Sequence, residues 1–275
     1  MSFFAALWQH SFLQHALLAG LLASVGCGVV GTYVVVKRIT FMAGGIAHAV
    51  LGGMGIAYYL HAPPLAGALV SALFAALLLG WISLRWQQRE DVLIGAIWAV
   101  GMAVGILFLS RTPGYNADLM SYLFGNILMV LTSDIWLMAG LDVVILLMVL
   151  LFYKQFQAVT FDEEFARLRG VAVNFFYLLL LCLVALTVVL LIRVVGLILV
   201  IALLTLPAAI ALQYTGTLWK IMLLSMGLGM LFTTGGLGLS YAPDLPAGAT
   251  IILLAGTVYL ISTLWHNRRR QHWKF

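Results

Sequence analysis

The run VNFFYLLLLCLVALTVVLLI, Val173 to Ile192, carries no charge and exceeds the roughly 18 apolar residues that mark a bilayer-crossing helix. Comparable runs lie on both sides of it. They are Leu13 to Val36, Phe41 to Leu60, Leu65 to Leu84, Val92 to Leu109, Ile135 to Tyr153, Val195 to Leu212, Trp219 to Leu239 and Gly248 to Leu264. Only 8% of the residues are charged and 64% are hydrophobic, against roughly 25% charged in an ordinary soluble domain. The expected fold is therefore all-α and polytopic, with about nine transmembrane helices, in a range of eight to ten, forming a single domain over residues 1–275. No polar stretch is long enough to fold outside the bilayer. Met1 to Leu13 lacks a basic n-region, so the first span is expected to be retained.

The basic residues give an orientation. Lys37 and Arg38 follow the first span, Arg85 and Arg89 the third, Lys154, Arg167 and Arg169 the fifth, and Arg268, Arg269 and Arg270 follow the last. Placing them all in the cytoplasm puts the amino end outside, and an odd number of spans brings the carboxyl end in. The net charge of +5 thus reports orientation and not nucleic-acid binding. Arg111 and Arg193 fall outside as isolated charges at membrane edges, where their side chains can snorkel. Leu119 to Leu131 (LMSYLFGNILMVL) is apolar but too short to cross, which predicts a re-entrant or interfacial helix on the outer side.

Within this apolar chain His48 stands out, because an ionisable side chain at membrane depth costs free energy and marks a functional site by default. It lies in AGGIAHAVLGG, Ala43 to Gly53. On a helix Gly44, His48 and Gly52 recur at four-residue intervals, with Gly45 and Gly55 beside them, so the imidazole is expected to project from a face without bulky neighbours. The alternative is a packed histidine bonded to a nearby carbonyl. Cys27 and Cys182 have no ligand spacing and read as packing residues. Pro207 should free a backbone carbonyl and allow a bend in its span. Glycine-rich Gly227 to Gly238 reads as close helix packing.

The largest polar loop, Lys154 to Asn174, predicts a short amphipathic helix. Thr160 and Glu163 match an S/T-x-x-E capping box, Phe161, Phe165 and Leu168 recur on one face, and Gly170 supplies the stop. Asp162, Glu163, Glu164, Arg167 and Arg169 occupy the wetter sides. Three consecutive acids oppose contact with an anionic leaflet, so the face is expected to dock a protein.

With these features in place, the chain resembles the integral membrane permeases of bacterial ABC importers for zinc, manganese and iron. The resemblance covers nearly the whole length. It is carried by Ala47 to Gly53 (AHAVLGG), Leu119 to Leu128 (LMSYLFGNIL), Val195 to Ala211 (VGLILVIALLTLPAAIA) and Thr234 to Gly248 (TGGLGLSYAPDLPAG). It implies a multi-pass protein of the bacterial cytoplasmic membrane, paired with a second copy or a close paralogue, with a translocation path along the subunit interface. Gly44, Gly45, Gly52 and Pro207 would border that path. The transported substrate would be a divalent metal ion, with no permanently bound cofactor. Two cytoplasmic ATPase subunits would bind ATP, since no GxxxxGK[ST] phosphate loop occurs in the sequence. The segment of about 154–172 would contain the coupling helix, at Asp162 to Gly170. An external metal-binding protein would deliver the ion, with Arg111, Asp118, Asp134 and Asp244 as the exposed charges facing it.

The sequence departs from the family at the metal. Members commonly carry an acidic residue four positions before the histidine, where this chain has Gly44. A further histidine of zinc-type relatives aligns with Ala99. Asp142, on the fifth span, either supplies the missing carboxylate to His48 of its own or the second subunit, or bonds locally. A permease for a metal chelate or cobalamin and a proton-coupled secondary transporter are the rival functions. An intramembrane hydrolase is disfavoured, because Ser24, Ser71 and Ser225 lack a surrounding motif and no HExxH pair occurs in the sequence.

Overall fold

The computed structural model describes residues 3–85, 90–112, 125, 127–196, 200–241, 243 and 245–271, among which no strand occurs. A short α1 (Phe3–Gln9) precedes α2 (Ser11–Val36), α3 (Thr40–Tyr59), α4 (Pro64–Arg85) and α5 (Glu90–Ser110). A 3-10 turn at Ile127–Met129 leads into α6 (Thr132–Leu151), followed by α7 (Tyr153–Phe161) and α8 (Glu163–Leu168). The chain ends with α9 (Val173–Val195), α10 (Val200–Tyr214), α11 (Leu218–Tyr241) and α12 (Ala247–Gln271). Eight of these are long and apolar enough to cross a bilayer.

The remaining span is described from Val200 onward. Val195 belongs to α9, which Gly196 ends at φ 78, and the described part of α10 is Val200–Tyr214. Its 15 described residues rise about 22 Å at 1.5 Å per residue. The chain crosses here. Gly20 faces Thr233 and Gly28 faces Met226, so α11 runs antiparallel to α2. Lys37 lies over Tyr177 while Gly26 lies beside Thr187, so α9 also runs antiparallel to α2. Because α9 and α11 point the same way, the chain between them, α10 included, must return across the bundle. With α10 counted, the described helices make nine passes. Pro207 sits buried inside α10, which continues through it without interruption.

Small residues allow the helices to approach. A Cβ at Gly53 would overlap the Gly67 carbonyl oxygen, and one at Gly67 that of Gly53, so α3 and α4 meet backbone to backbone. Of the packing predicted in Gly227 to Gly238, Gly229 meets Ser24 of α2 and Gly236 meets Ile251 of α12, whereas Gly227 faces open space. One group of helices, α3 with α4 and α5, is joined to a second, α2 with α10, α11 and α12, through α9, which packs on α2, α3 and α4.

The polar loop folds differently from the expected single helix. Thr160 is not an N-cap: its hydroxyl donates to the Phe156 carbonyl, 2.7 Å away, inside α7. Asp162 adopts an extended backbone and takes the capping role, its Oδ1 accepting from the Phe165 amide at 2.9 Å. The predicted stop at Gly170 is present at φ 77, with the Gly170 amide bonded to Arg167 O and the Val171 amide to Ala166 O, a Schellman ending. Of the outer segment Leu119 to Leu131, residues 119–124 and 126 lie outside the described residues.

Candidate functional site

His48 lies eight residues into α3, about 12 Å along the axis from the end that Lys37 marks. Its ring is half-buried, and Nδ1 is buried without a hydrogen-bond partner. The face around it is not open. The Trp98 indole of α5 stacks on the imidazole with ring centroids 4.1 Å apart and planes 10° from parallel. A Cβ at Gly44 would stand 3.1 Å from Ile201 Cδ1 and 3.5 Å from Trp98 Cζ3. Gly45 packs on Ile94 and Leu79, and a Cβ at Gly52 would lie 2.9 Å from the Gly101 carbonyl oxygen. These glycines bring α5 against α3, and Trp98 packs over the imidazole.

Asp142 lies in α6 at 4% exposure, with both carboxyl oxygens buried and without a hydrogen bond. It faces α2, where a Cβ at Gly26 would lie 2.8 Å from Oδ1, with Thr187 and Leu190 of α9 beside it. It forms neither a hydrogen bond nor an ion pair with His48 of the same chain. Within the chain it is enclosed by the packing of α2, α6 and α9. Among the described residues no group of three or more His, Cys, Asp or Glu converges on a metal-sized space. A cavity of about 700 Å³ between α3, α4 and α5 is lined by Gly52, Ile56, Val70, Phe74 and Val100 among others, all apolar but for Ser71, and has no metal ligand.

The charges expected at the outer face divide. Arg111 is exposed just after α5. Asp134 is not: at 6% exposure it accepts from the Leu131 amide at 3.2 Å and caps α6. Asp118 and Asp244 lie outside the described residues. At the Lys37 end, by contrast, Phe161, Phe165 and Leu168 are exposed together, with Leu168 at 87%, and Arg169 lies over the Phe165 ring at 5.0 Å. Ala166 is the buried member of α8. Arg167 donates to Asn174 Oδ1 at 3.3 Å, Glu164 is exposed, and Glu163 pairs with Lys37 at 2.5 Å. Sequence reading assigned Lys37 only to membrane orientation, because its partners are more than a hundred residues away. Trp98 stands fifty residues from His48 in the sequence, outside any local pattern that would pair them.

The ABC 3 transport family model matches residues 9–266. A protein of Chlamydia pneumoniae named a probable metal transport system membrane protein is 46% identical, over 89% of this chain and 86% of its own. The manganese transport system membrane protein MntC of Halalkalibacterium halodurans is 34% identical, over 94% of this chain and 89% of its own. Among solved structures, a chain of PsaBC from Streptococcus pneumoniae in complex with Fab superposes with a TM-score of 0.86 at 33% identity, covering 94% of each chain. With a family match across nearly its whole length, the chain belongs to the ABC 3 transport family.

Proposed function

We propose that the chain is the membrane-spanning subunit of an ATP-driven importer for a divalent transition-metal ion, with manganese as the ion. The observation that carries this reading is the near full-length likeness to a relative named for manganese transport. His48 is the nitrogen ligand on the path. Its buried Nδ1 leaves Nε2 as the coordinating atom, and one imidazole from each of two copies would meet the ion. Two neutral nitrogens without a carboxylate hold an ion weakly. Weak binding suits a conduit, which must release what it admits.

The positive-inside rule makes the Lys37 end cytoplasmic, since Lys37, Arg38, Arg85, Lys154, Arg167, Arg169, Lys220 and Arg268 gather there. The amino end is then outside and the carboxyl end inside. The exposed Phe161, Phe165 and Leu168 face two separate ATPase subunits, which bind and hydrolyse ATP. An external metal-binding protein delivers the ion to the opposite face, where Arg111 is available.

The test is manganese uptake into proteoliposomes holding the permease, its ATPase and its external protein. ATP-dependent uptake of manganese in preference to zinc and iron, lost in His48→Ala, is the expected result. Uptake that needs no ATP, or that His48→Ala leaves unchanged, overturns the reading. A preference for a metal chelate over the free ion would favour the chelate permease instead.

A further inference from the structure

Lys37 stands at a junction of four elements. It is the C-cap of α2, and its side chain is 10% exposed. Its Nζ donates to the Val159 carbonyl at 3.0 Å, near the end of α7, and pairs with Glu163 at the start of α8. A helix C-terminus leaves carbonyls without partners and carries partial negative charge, so one ammonium satisfies both the end of α7 and the carboxylate that follows the break at Asp162. The same Nζ lies 5.2 Å from the centre of the Tyr177 ring on α9. Tyr177 in turn donates its hydroxyl to Met42 Sδ of α3 at 3.1 Å and lies 3.1 Å from Ser83 Oγ of α4.

A second connection runs through the backbone. Between Lys37 and Thr40 the chain turns from α2 into α3 with Arg38 held at φ 62, a left-handed conformation that non-glycine residues rarely adopt. The Ile39 amide closes this turn on the Val34 carbonyl at 3.0 Å. Displacement of Lys37 therefore reaches α3 both through this short turn and through Tyr177 and Met42. Met42 is six residues before His48 on the same helix.

We propose that Lys37 is the positioning residue that ties the cytoplasmic docking segment, α7 and α8, to the helix bearing His48. This rests on the functional reading above. When an ATPase subunit moves the Phe165 and Leu168 face, the Lys37 ammonium makes α2, α3 and α9 follow. Without it α8 moves alone, and ATP is hydrolysed without passage of the ion.

The test compares manganese ions transported per ATP hydrolysed in the full reconstituted complex. Lys37→Met keeps the apolar stem and removes the charge; the ratio should fall about tenfold, within the 5–150-fold usual for coupling between sites. Lys37→Arg should recover most of it. An unchanged ratio in Lys37→Met overturns the proposal. If Lys37→Met fails to assemble, Glu163→Gln replaces it: the ratio falls if the pair transmits motion and holds if it does not. Spin labels at Phe41→Cys and Leu168→Cys, with Cys27 and Cys182 changed to Ala, give a second reading that needs no substrate. Their distance distribution should be narrow with Lys37 and broad with Met; equal widths would overturn the proposal. Absent ATP-dependent uptake by the wild-type complex rejects the functional reading, while the label distances still report on Lys37.

Discussion

The His48 imidazole lies flat against the Trp98 indole, its ring centroid 4.1 Å away. One face of the histidine is thereby closed, and its rotation about χ2 is blocked by a neighbour itself braced by Phe41, with ring centroids 6.0 Å apart. Such aromatic pairs contribute roughly 0.5–1.5 kcal/mol beyond area burial. Trp98→Ala should therefore release the imidazole and lower uptake by about three- to tenfold, on the scale in which 1.4 kcal/mol is a factor of ten. Trp98→Phe keeps a stacking face and should stay within about twofold of wild type. Initial rates across a range of manganese concentrations check this, with the larger effect expected in KM.

Gly44 and Gly52 share one helix face but should respond differently to alanine. At Gly44 the nearest atom to a new Cβ is Ile201 Cδ1, the flexible end of a side chain, at 3.1 Å. At Gly52 it is the Gly101 carbonyl oxygen, at 2.9 Å, which cannot move without shifting α5. Gly44→Ala should leave thermal stability nearly unchanged. Gly52→Ala should cost about 1–3 kcal/mol, the usual penalty for overpacking. Thermal unfolding in detergent distinguishes them, and an equal loss in both would show that the α3–α5 contact is looser than described.

These contrasts mark where sequence reading succeeds and where it stops. Val173 to Ile192 announced its helix because hydrophobic length is a local property, and Gly170 announced its stop because a left-handed helix ending favours glycine. His48 was visible because a titratable group at membrane depth is rare. What surrounds it was not. Gly44 and Gly52 are compatible with an open passage and with tight packing alike, and only the placement of Trp98, fifty residues later, separates the two. The Lys37–Glu163 pair and the Lys37–Tyr177 contact likewise join segments with no periodic relation. Thr160 and Asp162, two residues apart, can both cap a helix, and the continuation of α7 to Phe161 decides for Asp162.

Asp142 should prove dispensable for transport. It packs against Gly26 with no cation and no hydrogen-bond donor on either oxygen, so it offers the ion no accessible ligand. Asp142→Asn has nearly the same volume and carries no charge to desolvate. Uptake should stay within about twofold of wild type and the unfolding temperature should hold or rise, since an unpaired buried carboxyl is costly. A loss of manganese uptake with unchanged stability would instead return Asp142 to the path.

Leu168 is 87% exposed, yet it lies on a six-residue helix with complete caps at both ends. An exposed leucine on so defined an element contributes little to the fold of the chain itself, and an aspartate in its place meets no buried neighbour. Leu168→Asp should therefore leave the unfolding temperature of the isolated permease unchanged. In the assembled complex the same change would put a charge into an apolar contact beside Phe165. Loss of a central interface anchor costs about 2 kcal/mol or more, close to a thirtyfold weakening at 1.4 kcal/mol per decade. Co-purification of the ATPase subunit should drop accordingly, and uptake should fall with it. Phe161→Ala, at the margin of the same face on α7, should weaken assembly less. If Leu168→Asp binds the ATPase as tightly as wild type, the exposed face of α8 is not where the ATPase docks.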